Sequence, residues 1–226
     1  MPLGVPLEAA EVSVVHDTDG PCSAIVRPAT YDDLVLWEEW RPFLPPDGDG
    51  AWDWKVEVAR SDTEDGYLSI ALVRVRKDGV LRSLEGLMSV EAHDDGSFLS
   101  AKIGDAGILY VNLLACAPEN RPNSVCSVGR RAVRFVGTFL VCLATELSSA
   151  LGYKGRVGIH SKLTEETLDF YRNLQITEVG QDPQSELIYF ETEPRHLPAM
   201  LARLKQLRNN WPGPDGNHEP QQQEGR

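Results

Sequence analysis

Apolar positions change their spacing several times along this chain, and each change marks an element. Residues 1–22 mix Pro, Gly and acidic residues with no sustained period, whereas "SAIVRPAT" reads as a short strand. Thr30, followed three residues later by Asp33, is a helix-opening signal ahead of Leu34, Trp37 and Trp40 at helical spacing. "PPDGDG" interrupts that helix, and "AWDWKVEVARS" predicts a second, shorter one. "YLSIALVRVR" and "LRSLEGLMSVEAH" are β-branched apolar runs joined by "KDG", the pattern of an antiparallel hairpin. "GILYVNLLACAP", stopped by Pro118, predicts a central strand buried on both faces. "GTFLVCLATELSSALG" is apolar nearly all round and ends at Gly152, as a deeply buried helix does. "GRVGIHS" then predicts a strand, Thr164 opens the helix "TEETLDFYRNL", "ELIYFET" forms a last strand and "PAMLARLKQL" a last helix.

A meander in the first half and alternating strands and helices in the second define an α/β (α+β) fold, a mixed sheet with helices on both faces. The expected organisation is an N-terminal extension over 1–22, a single domain over 23–209 that includes the last helix, and a tail over 210–226 that is low in apolar content. A chain of 226 residues with 42% hydrophobic content suffices for one sizeable core.

Charge narrows the partners. With 34 acidic against 22 basic residues the net charge is −12, which repels nucleic acid and favours amines or basic peptides at long range. A solvated acidic coat has the same composition. Cys22, Cys116, Cys126 and Cys142 form no C-x-x-C pair, the five histidines have no metal-ligand spacing, and no apolar stretch reaches a membrane span. With no basic n-region ahead of an apolar run at the N-terminus, a cytoplasmic protein with reduced thiols is expected.

Candidate chemistry lies where the buried strand leads through a turn to the buried helix, "LLACAP…RRAVRFVGTFL", an arrangement that places anions at a helix N-terminus. Residues 24–193 resemble, in element order and local strings, the GNAT superfamily of acyl-CoA-dependent N-acetyltransferases. "VRPATYDDL" is similar to its opening strand and helix, "GRVGIHS" to its fifth strand and "FYRNL" to its Phe-Tyr helix. The similarity is closest to a bacterial branch with a longer Asn-Arg-Pro-containing loop, here "APENRPNSVCSVGRR". It implies a mostly antiparallel central sheet, acetyl-CoA or another acyl-CoA as co-substrate, an amine of a small molecule or peptide as acceptor, and is compatible with a homodimer.

In that superfamily Q/R-x-x-G-x-G/A cradles the cofactor's diphosphate, because bare backbone lets N–H groups approach the phosphates. Aligned on "GTFL", the pattern falls on Ala132, Val133, Arg134, Phe135, Val136 and Gly137, so only its last glycine is kept. The resemblance implies cofactor contacts from Arg131, standing one place before the usual position, and from Arg134, Phe135, Val136, Gly137 and Thr138. It also implies backbone contacts from Leu114, Ala115 and Cys116. Two outcomes are open for Phe135: its ring points away and the cradle works, or it fills the site and the chain is a catalytically silent binding or dimerisation module. A third keeps the site for a longer acyl chain, walled by Phe135 and the tryptophans. "SVG" at 127–129 is a weak substitute cradle.

By the same resemblance Tyr171 supplies the proton for the departing thiolate. His160, whose pKa range suits a general base, is the candidate for the opposite transfer, with Glu85, Glu91 and Glu119 as alternatives because Asn112 stands on the fourth strand in place of a carboxylate. Cys116 on a very apolar strand reads as an inert thiol rather than an acyl carrier. Trp37, Trp40, Trp52 and Trp54 are either core or the wall of an acceptor pocket. Gln175 ends the Phe-Tyr helix where glycine is common, at a cost of about 1 kcal/mol if it is left-handed.

Overall fold

A computed structural model of the chain describes residues 10–16, 20–46, 48–75, 82–94, 107–121 and 133–209. In chain order the elements are β1 (Ala10–His16), β2 (Gly20–Pro28), α1 (Tyr31–Trp40), α2 (Trp54–Thr63), β3 (Tyr67–Val75), β4 (Arg82–His93) and β5 (Ile108–Cys116). They continue with β6 (Val133–Arg134), α3 (Val136–Ala150), β7 (Val157–Ser161), α4 (Glu165–Asn173), β8 (Thr177–Gln181), β9 (Ile188–Glu191) and α5 (Leu197–Asn209). The described residues form a nine-stranded sheet in the order β6-β1-β2-β3-β4-β5-β7-β9-β8. Every neighbouring pair is antiparallel except β5 and β7. A parallel pair needs a crossover, and α3 supplies it.

Local chemistry sets the helix ends. Asp33 reaches back to the Thr30 amide at 2.8 Å and its hydroxyl at 3.0 Å, starting α1. Asp53 does the same work for α2 by accepting from the amides of Lys55 and Val56. Buried residues run round the whole of α3, and the chain turns off beyond it through Gly152 at φ 88°.

Alternation along the strands sorts the core into two layers. On one face Ile70, Leu72, Met88, Val90, Leu109, Val111, Ile159 and Phe190 pack with α3, α5, and Leu168 and Tyr171 of α4. On the other, Ala71, Val73, Leu84, Leu87 and Ala115 pack with α1 and α2. Trp37, Trp40 and Trp54 are buried in that second layer in edge-to-face contacts with centroids 5.3 and 5.8 Å apart. They are therefore core, while the half-buried Trp52 lines a groove with Glu38, Arg41 and Lys55.

Two expectations change. Residues 10–16 and 20–22, read as an extension, belong to the sheet: β1 pairs with β2 from Ala10 to His16, and with β6 through Val15 and His16. Ala10, Val12 and Val14 alternate with Glu11 and Ser13, a strand period too short to stand out among the Pro, Gly and acidic residues around it, and pairing with β2 and β6 orders the segment. The strand β5 is also not buried throughout, since Asn112, Leu113 and Leu114 are half-buried. The tail 210–226 lies outside the described residues. No helix among the described residues is long and apolar enough to cross a membrane.

Candidate functional site

The half-buried stretch of β5 is where the sheet opens. β5 and β7 pair only through Leu109, Tyr110 and Val111 with Val157, Gly158 and Ile159. Beyond them β5 continues to Cys116 paired with β4 alone. Asn112 is an extra residue at a bulge, because Val111 faces Val90 while Leu113 already faces Ser89. No residue of β7 pairs with Asn112–Cys116, so the sheet has an opening in its pairing along that edge of β5, and the bulge, which bends a strand and increases its twist, sits where the opening begins. The other side is stiff: Arg156 and Glu191, both fully buried, pair at 2.6 Å and tie the start of β7 to β9.

The N-terminus of α3 lies against the Cys116 end of this opening. A Cβ on Gly137 would come within 3.1 Å of the Phe170 ring and 3.5 Å of the Cys116 sulfur, so a side chain there would press the ring outward by a few tenths of an ångström. Phe135 takes the glycine-like left-handed conformation, φ 66° and ψ 17°, and its carbonyl accepts the first helical hydrogen bond, from Phe139 at 2.8 Å. The residue is 49% exposed, so its ring is not part of the packed core. Ahead of that first bond the Gly137 amide donates to the Cys116 sulfur, while no main-chain acceptor among the described residues takes the amides of Val136 or Thr138. Arg134 is exposed one residue before the bend. Arg130, Arg131, Ala132 and the "SVG" segment lie outside the described residues.

The two proton-handling candidates stand on opposite faces. Tyr171 is buried on the α3 side, 5.2 Å between ring centroids from Phe190. Burial, reinforced by the nearby Cys116 and Asp49, drives its phenol far above the ordinary value. The Cys116 thiol is likewise pushed up to about 11, chiefly by desolvation. Both groups therefore stay protonated. His160 follows Ile159, the last residue of β7 paired with β5, and points to the other face, where its ring packs on Tyr189, its partner in β9. Its Nδ1 lies 2.7 Å from the Tyr110 hydroxyl and its Nε2 3.4 Å from an Asp182 oxygen. Burial lowers the His160 pKa, against the opposing pull of Asp182. Desolvation also pushes Tyr110 up to about 12.

Tyr110 and Asp182 escape a reading of the sequence. The strand period alone puts Tyr110 on the His160 face, but only the β5–β7 register makes them neighbours, and Asp182 comes from beyond β8. The other base candidates are placed elsewhere. Glu85 is 2% exposed and bound to Arg74, Ser83 and Asn120, so it has no free face. Glu91 is occupied beside Arg60 and Asn112. Glu119 sits in the turn after β5, past the opening. Gln175 is left-handed at φ 60°.

No family model matches this sequence, and a search of curated proteins returns no match. Solved structures do match. NAA60 of Arabidopsis thaliana in complex with a bisubstrate analogue superposes with a TM-score of 0.52 at 14% identity, over 75% of this chain and 97% of that one. The same protein in complex with acetyl-CoA gives 0.50 at 13% identity over the same shares. An uncharacterized protein from Bacillus halodurans gives 0.50 at 10% identity, over 89% of this chain and 98% of that one. The chain has the GNAT-superfamily fold.

Proposed function

We propose that the protein is an acyl-CoA-dependent N-acetyltransferase that passes an acetyl group directly to a primary amine of a small molecule or peptide. The observation that carries this reading is the opening between β5 and β7, flanked by first-turn amides of α3 that no main-chain acceptor among the described residues takes and by a proton donor and a proton acceptor on its two sides. The chain's residues fit acyl-CoA. Amides of Val136 and Thr138 meet a diphosphate with the α3 dipole behind them, and Arg134 adds positive charge. Phe135 keeps the required left-handed backbone shape, and its exposed ring leaves the core free of it. β7 leaves the edge of β5 at Leu114, Ala115 and Cys116 without a strand partner, and apart from the Cys116 carbonyl, which accepts from Arg121 at 3.1 Å, that edge can hydrogen-bond an extended amide-containing arm.

Acyl-CoA supplies the activated thioester. The amine must lose a proton as it attacks, and the thiolate must gain one. Tyr171, a phenol held protonated, donates to the departing sulfur from the α3 face. On the opposite face Asp182 holds Nε2–H of His160, which leaves Nδ1 to receive the Tyr110 proton as the Tyr110 oxygen takes one from the amine. Acid and base thus address one reaction centre through the opening without neutralising each other.

Titration calorimetry with acetyl-CoA, followed by an amine-acceptor screen, tests the reading. Binding in the micromolar range and thiol release with an amine are expected. No binding at millimolar acetyl-CoA would remove it. Tighter binding of succinyl-CoA or a long-chain acyl-CoA would move the acyl specificity without moving the site.

A further inference from the structure

The carboxyl of Glu85 is deeply buried yet takes no part in the proposed chemistry. It is the extra residue of a bulge between β3 and β4, since Leu84 faces Val73 and Gly86 already faces Leu72. Arg74 pairs with it at 2.9 Å and the Ser83 hydroxyl donates at 2.6 Å. A buried carboxylate is costly unless paired and hydrogen-bonded, so one held here has a fixed orientation. Its remaining oxygen, Oε2, accepts from the Asn120 amide at 2.8 Å, and that amide also lies 3.3 Å from the Glu85 carbonyl. The other end of Asn120 is turned by this toward Val133, whose N–H donates to Oδ1 at 2.6 Å. Desolvation raises the Glu85 pKa, and the bonds from Asn120 and Ser83, with Arg74, oppose the rise.

Val133 lies two residues before the left-handed Phe135, and three before the first turn of α3. A non-glycine residue in that conformation persists only if the surroundings impose it. β1 restrains this segment from one side, and Asn120 from the other. We propose that Asn120, oriented by Glu85, is a positioning residue for the diphosphate of acyl-CoA: it pins Val133 so that the chain enters α3 through Phe135 with the first-turn amides presented to the ligand. The proposal rests on the acyl-CoA reading above. It gives the asparagine of the "ENRP" string a task that neither aspartate nor alanine can perform. Aspartate has no proton to give Glu85, and alanine offers Val133 no acceptor.

The test uses the whole chain and two thioesters, acetyl-CoA and S-acetylpantetheine, the second lacking the diphosphate. Asn120→Ala is expected to weaken CoA binding by about tenfold, as loss of one buried hydrogen bond does, with kcat held and the KM for S-acetylpantetheine unchanged. Hydrogen exchange of the ligand-free variant should quicken over residues 133–139 and stay as in the wild type elsewhere. Asn120→Asp should be at least as damaging, and adding Glu85→Gln should restore CoA affinity, because the direction of the bond is reversed with an acceptor kept for Val133. Equal losses for the two thioesters, or quickened exchange with unchanged CoA affinity, would overturn the positioning role alone. A wild-type protein that binds neither CoA nor acetyl-CoA removes the acyl-CoA reading, and the positioning role with it.

Discussion

On its α3 side the β5–β7 opening is walled mostly by hydrocarbon. Phe170 and Phe190 pack on Tyr171, Leu114 joins the same core, and the phenol feels the Cys116 thiol, which stays protonated, and Asp49, which is paired with Arg121. On its other side, at the point where the strands part, the wall is polar: Tyr110, His160 and Asp182 form a chain of contacts at 2.7 and 3.4 Å. Desolvation acts on both sides with opposite use. It holds a phenol in its neutral, proton-bearing form on the first, and an imidazole in its neutral, proton-accepting form on the second. In the proposed transfer each group is thereby held in the state its role needs, and the same desolvation makes the phenol a weaker acid and the imidazole a weaker base. Had the two groups shared a face, they would be free to exchange the proton with each other.

Removing the donor should have the largest effect. Tyr171→Phe keeps the apolar wall and is expected to lower kcat by about 100-fold or more with CoA affinity unchanged, read by steady-state kinetics beside calorimetry. A matching loss of affinity would make Tyr171 a packing residue. His160→Gln should cost about tenfold to 100-fold and change the pH profile. Because its folded pKa lies below the ordinary imidazole value of about 6.5, His160 is neutral at pH 7, and kcat/KM should fall only as pH drops through that lowered value. The unfolded chain binds the proton first, so His160 also contributes folding stability that is present above about 6.5 and lost on acidification. An acid limb that survives in the variant would assign it to another group. Tyr110→Phe breaks the same relay one step from His160 and is expected to lower kcat by about tenfold. A rate equal to that of wild type would mean His160 works through water alone. The smallest change is Phe135→Gly, which relieves left-handed strain of about 1 kcal/mol at an exposed ring. It should leave CoA binding equal or slightly tighter and raise the melting temperature. Markedly weaker binding would show that the ring itself contacts the cofactor.

Much of this was legible along the chain because it is periodic or local. The apolar runs of β3, β4 and β5, the all-round apolar α3, the Thr30 and Asp33 start of α1 and the glycine stop at Gly152 reflect side-chain spacing and capping, which act over a few residues. β1 was missed although Ala10, Val12 and Val14 alternate with polar residues, because so short a period carries little weight until its pairing with β2 and β6 is seen. Tyr171 entered as a candidate by resemblance and His160 by residue type on a strand, and their separation by the sheet was not legible, because which way a strand residue faces depends on register and bulges.

The sequence by itself determined most elements and, through the resemblance, the substitution of Phe135 for a cradle glycine, since periodicity and conformational preference are properties of short stretches; β1, β6 and β8 came from pairing. Only the tertiary structure decided that Phe135 still adopts the left-handed turn as an exposed residue, that the extra Asn112 stands where β5 leaves β7, and that Glu85 is bonded to Asn120. Those outcomes depend on contacts between residues far apart in the chain, where distance and orientation set the energy and order along the sequence carries neither.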